Sequence, residues 1–295
     1  MKKLIVAEKP SVGRDIARVL GVSKRGEGFL YGDDYVVTWA IGHLVSLCEP
    51  GEVDPKYQKW MMSTLPMLPE RIPLKVLPGT EDQFKIVKKL LNSPKIDSVI
   101  CATDSAREGE LIFRYIYQMA GCTKSVERLW ISSMTDAAIQ QGFANLKPAS
   151  AYDALYTSAR CRSEADWLVG MNASRAYSLK YNAHLSIGRV QTPTLSLIVR
   201  RDREIEAFVS EDYWELRADF GDYSGLWINP DAKSDENARA NETRIPDRET
   251  AERVRSEVKG KPARVEEASY ERKHFAPPQL FDLTSLQREA NRKFG

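Results

Sequence analysis

Two short acidic stretches carry side chains able to handle a phosphate ester. The first is Glu8-Lys9, a carboxylate beside an ammonium; the second is Asp104-Ser105-Ala106-Arg107-Glu108-Gly109-Glu110. A few carboxylates completed by water and phosphate oxygens form the hard-oxygen set that Mg²⁺ takes. Phosphoryl transfer also needs a cation against developing charge and a proton donor for the leaving oxygen, and Lys9 next to Glu8 could supply both. Taken singly, each acid reads more readily as a helix N-cap or first-turn residue. A third stretch, Ser186-Ile187-Gly188-Arg189-Val190-Gln191, is a small-residue turn leading into a helix. Its N–H groups and guanidinium could clamp a phosphate, and an ordinary helix start has the same look. Trp60 in Tyr57-Gln58-Lys59-Trp60 and Trp167 in Asp166-Trp167-Leu168 set aromatic rings among charged side chains. Such faces suit base stacking on single-stranded nucleic acid, while core packing is the commoner fate of tryptophan.

The elements that must position these residues follow from periodicity. Leu4–Ala7 reads as a buried strand, followed by a turn and a helix in which Val12, Ile16, Val19 and Leu20 recur at helical spacing. Tyr35–Trp39 is a second strand, Glu81–Leu91 a helix, Ser98–Ala102 a buried strand, and Ile112, Tyr115, Ile116 and Met119 mark a further helix. The proline-rich stretch from Pro66 to Pro78 reads as an extended connection. Alternating strands and helices predict an α/β domain with a mostly parallel sheet ending near residue 150. Residues 152–208 are almost wholly helical in pattern, broken at Asn182–Gly188. From Tyr213 the texture turns to strands, with a polar loop at Asn229–Asn241, a helix at Glu249–Lys259, a strand at Ala263–Tyr270 and a helix at Ser285–Phe294. Both acidic stretches fall at carboxyl ends of strands, where ligands bind in open α/β sheets, so they can share one crevice.

Composition narrows the class. A chain of 295 residues suggests about two domains. Its 42% apolar and 28% charged content excludes disorder, and no apolar run reaches the length of a membrane span. Met1-Lys2-Lys3 precedes only four apolar residues, too few for a signal peptide. Cys48, Cys101, Cys122 and Cys161 are far apart without a C-x-x-C pair, which argues against a zinc site or disulfide framework and for reduced thiols. The net charge is only +2, but residues 156–204 hold eight Lys/Arg against four acids. That local excess fits a phosphate backbone or a plain solvated surface. His43, without an H-x-x-x-H partner, reads alone as a core or turn histidine, and Gly26-x-Gly28 lacks the third glycine of a dinucleotide fingerprint.

Six motifs in order resemble the type IA DNA topoisomerases, most nearly the topoisomerase III branch. They are Ala7-Glu8-Lys9-Pro10-Ser11, Ile41–Leu44, Leu65–Glu70, Ala102–Glu110, Ala165–Asn172 and Ser186–Leu195. The resemblance implies a multidomain α/β chain: a Toprim (Rossmann-like) domain over 1–150, a helical DNA-binding domain over 151–210, and part of a β-rich arch domain over 211–295. It implies an ATP-independent enzyme that cuts, passes and reseals one DNA strand through a 5′-phosphotyrosine ester. Glu8 and Lys9 would be catalytic, and Glu8, Asp104 and Glu108 would hold Mg²⁺. Trp60, Trp167, Arg175, Ser186, Ile187, Gly188, Arg189, Val190 and Gln191 match positions that contact single-stranded DNA in relatives. Two departures stand out. Ala106 replaces the middle Asp of the family's D-x-D-x-E motif, which weakens the expected metal site. None of the 12 tyrosines precedes a proline, so the family's nucleophile motif has no counterpart here. The expectation is therefore an N-terminal piece of a longer enzyme, without the gate domain, that binds DNA and does not cleave it. It would be a cytoplasmic, nucleoid-associated monomer that prefers single strands, with any helicase partner unidentified. The rival reading is a Toprim nuclease or a non-catalytic single-stranded DNA-binding module.

Overall fold

The computed structural model describes residues 2–229 and 242–295. The chain divides into two compact units, Met1–Glu206 and Ala207–Gly295. The first is built on a seven-stranded sheet. Strand β1 (Lys2–Ala7) leads into helix α1 (Pro10–Val19), which takes Pro10 in its first turn, where no backbone N–H is missed. Strands β2 (Lys24–Gly26) and β3 (Phe29–Tyr31) form a hairpin whose turn holds Gly28 at φ +71°. The Gly26-x-Gly28 pair is thus a turn device. Strand β4 (Tyr35–Trp39) follows, and β5 (Val45–Leu47) pairs with β6 (Leu74–Val76) in a small separate sheet. Helix α2 (Pro50–Val53) and irregular chain lie between them.

Helix α3 (Glu81–Leu91), strand β7 (Ile96–Ala102), helix α4 (Arg107–Ala120), strand β8 (Val126–Arg128), helix α5 (Asp136–Ala144) and strand β9 (Lys147–Pro148) complete the sheet domain. The strand order is β2-β3-β4-β1-β7-β8-β9, with β4, β1, β7 and β8 parallel. Because side chains alternate across a strand, Leu4 and Val6 enter one core with α3 and α4 residues, and Ile5 enters the other with Ile16 and Ala17 of α1. Helices therefore leave the adjacent strands β1 and β7 toward opposite faces. In open α/β sheets such a parting is where ligands bind.

The long helix α6 (Asp153–Tyr181) packs along α4, and α7 (Gln191–Glu206) follows the Ser186–Val190 turn. In the second unit the described elements are β10 (Arg217–Asp219), β11 (Ser224–Leu226), α8 (Arg248–Val258) and α9 (Leu283–Phe294). The expected strand at Ala263–Tyr270 is not formed: these residues are exposed and pair with no described strand, and an isolated strand has no ladder to satisfy its backbone. The loop expected at Asn229–Asn241 lies, beyond its first residue, outside the described residues. No described helix is long and apolar enough to cross a membrane.

Candidate active site and nucleic-acid interface

Parallel pairing sets Ala7 of β1 opposite Ala102 of β7, so both acidic stretches emerge side by side at that parting. Glu8 is 8% exposed, and its Oε2 accepts a hydrogen bond from the Asp104 N–H at 3.1 Å. Lys9 Nζ stands 3.7 Å from Glu8 Oε1 and 3.8 Å from Asp104 Oδ2. One oxygen of Glu8 is therefore anchored, while the other faces the ammonium. Lys9 keeps about half its side chain in solvent. An ammonium between two carboxylates, one buried and one exposed, can exchange a carboxylate for an incoming phosphate.

The structure does not assemble the expected metal set of Glu8, Asp104 and Glu108. Glu108, in the first turn of α4, points its Oε1 to His43 Nε2 at 2.7 Å. Among the described residues no three His, Cys, Asp or Glu side chains converge as a metal cluster. Glu8 and Asp104 stand side by side, while Glu108 Oε1 is held by His43, whose neighbour Gly42 donates its N–H to the Glu8 carbonyl. His43, read in sequence as a core or turn residue, is in fact a half-exposed partner of this acid.

Two cavities adjoin the Ala106–Glu108 turn. One, of about 630 Å³, is walled by Val45, Leu47, Leu111, Trp167 and Met171, with His43, Glu108, Arg162 and Asp166 at its polar edge. The other, of about 450 Å³, is lined by Arg107, Arg162, Arg189 and Asp166. Asp166 holds Arg189 Nη1 at 3.1 Å and lies 3.8 Å from Arg162 Nε. Arg107 and Arg162 thus line the same cavity as Arg189. In the sequence Arg162 stands out only as part of a charge excess, and its i,i+4 spacing to Asp166 is the local signal that it is paired.

The remaining expected DNA contacts separate into two kinds. The Ser186–Gln191 turn leads into α7 as its pattern predicts, but two N–H groups expected to clamp a phosphate are spent within the protein: Ser174 Oγ receives the Ile187 N–H, the Gly188 N–H donates to Thr192 Oγ1, and Gln191 Nε2 donates to Ser186 Oγ. Arg189 and Val190 project from it, Val190 well exposed. Trp60 is 40% exposed and lies in a cluster with His184 and the Arg175 guanidinium, 5.3 Å from its ring centre. Trp167, by contrast, is 6% exposed, and its indole N–H donates to the Cys48 carbonyl at 2.8 Å. A ring so enclosed has no open face for a base, so in this structure Trp167 is a packing residue and the wall of a cavity. Arg175 is likewise 6% exposed; Nη1 donates to the Tyr57 carbonyl at 2.5 Å, and Nε is buried without a partner. Burial holds its guanidinium below the ordinary range, with Glu49 partly offsetting the effect.

Comparisons with known proteins identify the family and the fold. A family described as Toprim domain matches residues 3–134, and one described as DNA topoisomerase matches residues 150–295. The DNA topoisomerase 3 of Bacillus cereus (strain ATCC 14579) is 46% identical over 295 residues, all of this chain and 39% of the relative. The DNA topoisomerase 3 of Bacillus subtilis (strain 168) is 44% identical over 294 residues, again 39% of its length. The fold is similar to that of full-length topoisomerase I from Thermotoga maritima, with a TM-score of 0.61 and 23% identity, covering 99% of this chain and 43% of that one. The chain thus spans about two fifths of the length of the curated relatives it matches.

Proposed function

For a chain that belongs to the type IA DNA topoisomerases, we propose that it binds one DNA strand and supplies the acid–base half of a site that cleaves and reseals that strand. The observation that carries the reading is the Glu8–Lys9–Asp104 arrangement at the parting of β1 and β7. In the forward step a tyrosine hydroxyl attacks phosphorus and gives up its proton, a phosphotyrosine ester forms, the bond to the 3′ oxygen breaks, and one proton passes to that oxygen, so no net proton is gained or lost. Resealing is the reverse, and the ester retains the phosphodiester energy, so no ATP enters. Glu8, with one oxygen anchored, holds or gives the proton through Oε1. Lys9 moves from its two carboxylates to the phosphate and offsets its charge. The tyrosine is supplied by the part of the longer relatives that has no counterpart in residues 1–295.

Toprim proteins generally use Mg²⁺, and here Glu8 and Asp104 are the residues that would hold it. Two carboxylates with water and phosphate satisfy its preference, and the ion would add charge stabilisation at the phosphate. Ala106 removes one further oxygen donor, so the ion binds weakly without DNA and better with it. Glu108 would join the set through its second oxygen, Oε1 staying with His43. Binding is to single strands in preference to duplex, by a monomer, in the bacterial nucleoid. Trp60 is the stacking surface, and Arg107, Arg162 and Arg189 take the phosphates.

The test is a chimera that joins this chain to the remaining length of the Bacillus subtilis relative. Incubated with end-labelled single-stranded oligonucleotide, it should form an adduct that survives denaturant, while residues 1–295 alone form none. Glu8→Ala and Lys9→Ala in the chimera should each abolish the adduct. Cleavage by residues 1–295 without an adduct would instead support a Toprim nuclease.

A further inference from the structure

Arg128 closes β8 and is 1% exposed, a cation buried at the end of the central sheet. Its Nε–H donates to Glu110 Oε2 at 3.1 Å, and Glu110 accepts Arg114 Nε on its other oxygen at 2.9 Å. Nη1 donates to the carbonyls of Cys101 (3.2 Å), Thr103 (2.7 Å) and Leu129 (2.7 Å), and Nη2 to that of Asp104 (2.6 Å). Stability alone does not call for this arrangement, because a buried ion pair can often be replaced by apolar side chains without loss. The planar guanidinium does provide direction. Three of its carbonyl partners are the last residue of β7 but one and the two residues that turn the chain into the site.

The Thr103 carbonyl and the Asp104 N–H belong to one planar trans peptide, in which oxygen and hydrogen point opposite ways. Arg128 holds the oxygen, and Glu8 Oε2 takes the hydrogen at 3.1 Å. A hydrogen bond at one end of a peptide also polarises the other. The next carbonyl is closed in from two more sides. Asp104 O accepts the Ala106 N–H at 2.8 Å, and a Cβ at Gly109 would lie only 2.2 Å from it. We propose that Arg128 is a positioning residue: it orients the Thr103–Asp104 peptide so that the Asp104 N–H anchors the Glu8 carboxylate. Its bearing on catalysis rests on the strand-cleavage reading of Glu8, whereas the anchoring itself does not.

Amide hydrogen exchange in residues 1–295 tests it. In Arg128→Lys, which keeps the charge and loses the fork, exchange at the Asp104 amide should rise about tenfold, the scale of one lost charge-assisted hydrogen bond. The core amides of Ile5 and Ile100 should stay unchanged. Glu8→Ala should raise Asp104 exchange similarly in the wild type and add nothing in the Arg128→Lys background. The paired apolar variant Arg128→Met/Glu110→Met, in which Arg114 keeps Asp153 at 2.8 Å, should keep the core amides slow and lose the Asp104 protection. An Asp104 amide as slow in either Arg128 variant as in the wild type would overturn the proposal. So would equal acceleration of the core amides, or loss of folding in both variants, since either makes Arg128 a residue of general stability. In the chimera, Arg128→Lys should slow adduct formation with little change in oligonucleotide affinity. If wild-type chimera forms no adduct, the strand-cleavage reading fails while the exchange result still stands.

Discussion

At the scale of single residues, burial separates tryptophans that look alike in sequence. Trp60 and Trp167 both sit among charged neighbours, yet one ring is open and the other is enclosed with its N–H satisfied. Trp167→Ala should therefore cost ~3–5 kcal/mol of stability, the usual range for emptying a buried large aromatic site. Trp60→Ala should leave the unfolding midpoint nearly unchanged and weaken single-stranded oligonucleotide binding by ~1–3 kcal/mol. Urea unfolding beside a binding titration checks both, and the reverse pattern would exchange the two roles. Ala106 offers a second case. It is the N-cap of α4, in extended backbone (φ −150°, ψ 171°) with no side-chain cap. Ala106→Asp would place a carboxylate where helix N–H groups lack acceptors, so it should stabilise the chain by ~1 kcal/mol. The new charge also faces Asp104 and Glu108, so the gain should be larger in high salt than in low salt, where repulsion is unscreened. A midpoint that falls at both salt concentrations would refute the capping argument. Glu8, Lys9 and Asp104 were legible because charge at the end of an apolar run is a local signal. The diversion of Glu108 to His43 was not, since it depends on a side chain 65 residues away.

At the scale of elements, long periodic segments were read well and short ones were missed. Glu81–Leu91 has the bounds its periodicity gives, and β1, β4, β7, α1 and α4 stand where the apolar pattern places them. Strands β2, β3, β5, β6, β8 and β9 run only two or three residues. No period can show in so few positions, and their pairing comes from neighbours in the sheet. The Ala263–Tyr270 segment failed the other way: only Val265 and Tyr270 favour a strand there, and it has no described partner. Helix α9 shows what local chemistry can secure without a core. Asp282 caps it by accepting the Ser285 N–H, and the side-chain and backbone hydrogen bonds from Ser285 hold its carboxyl below the usual value of 3.8. A depressed folded pKa gives stabilisation that is complete above that value and lost as pH falls through the lower folded one. Helicity should thus drop on acidification from pH about 4 downward. Asp282→Asn, which still accepts the N–H but cannot titrate, should blunt that drop. Circular dichroism of both chains across this window is the measurement, and identical acid profiles would show that the cap contributes nothing.

At the scale of the whole molecule, every residue assigned to chemistry or DNA contact lies in the first compact unit, from Glu8 to Gln191. The chain just beyond α7 is open, with Phe208 and Val209 about three-quarters exposed, and exposed connections are preferred sites of proteolytic nicking. Limited proteolysis should cut there first and leave a resistant product ending near residue 206. That product should retain the single-stranded DNA affinity of the full chain within about twofold, since the second unit supplies none of the assigned contacts. Its salt dependence follows from the cations assigned to phosphate. Lys9, Arg107, Arg162 and Arg189 would release counterions to give a slope of log K against log salt near −3, at ~0.7 per phosphate on a single strand. Lys9, Arg162 and Arg189 each lie beside an acid in the free protein. Their pairs must open on binding, which lowers affinity without changing the count. Arg189→Ala should therefore reduce the slope by ~0.7, whereas Asp166→Asn should tighten binding and leave the slope unchanged. A cleaved first unit that lost the affinity would move the interface into the second unit. A slope near zero would instead leave stacking as the main attraction and strip the arginines of their assigned role.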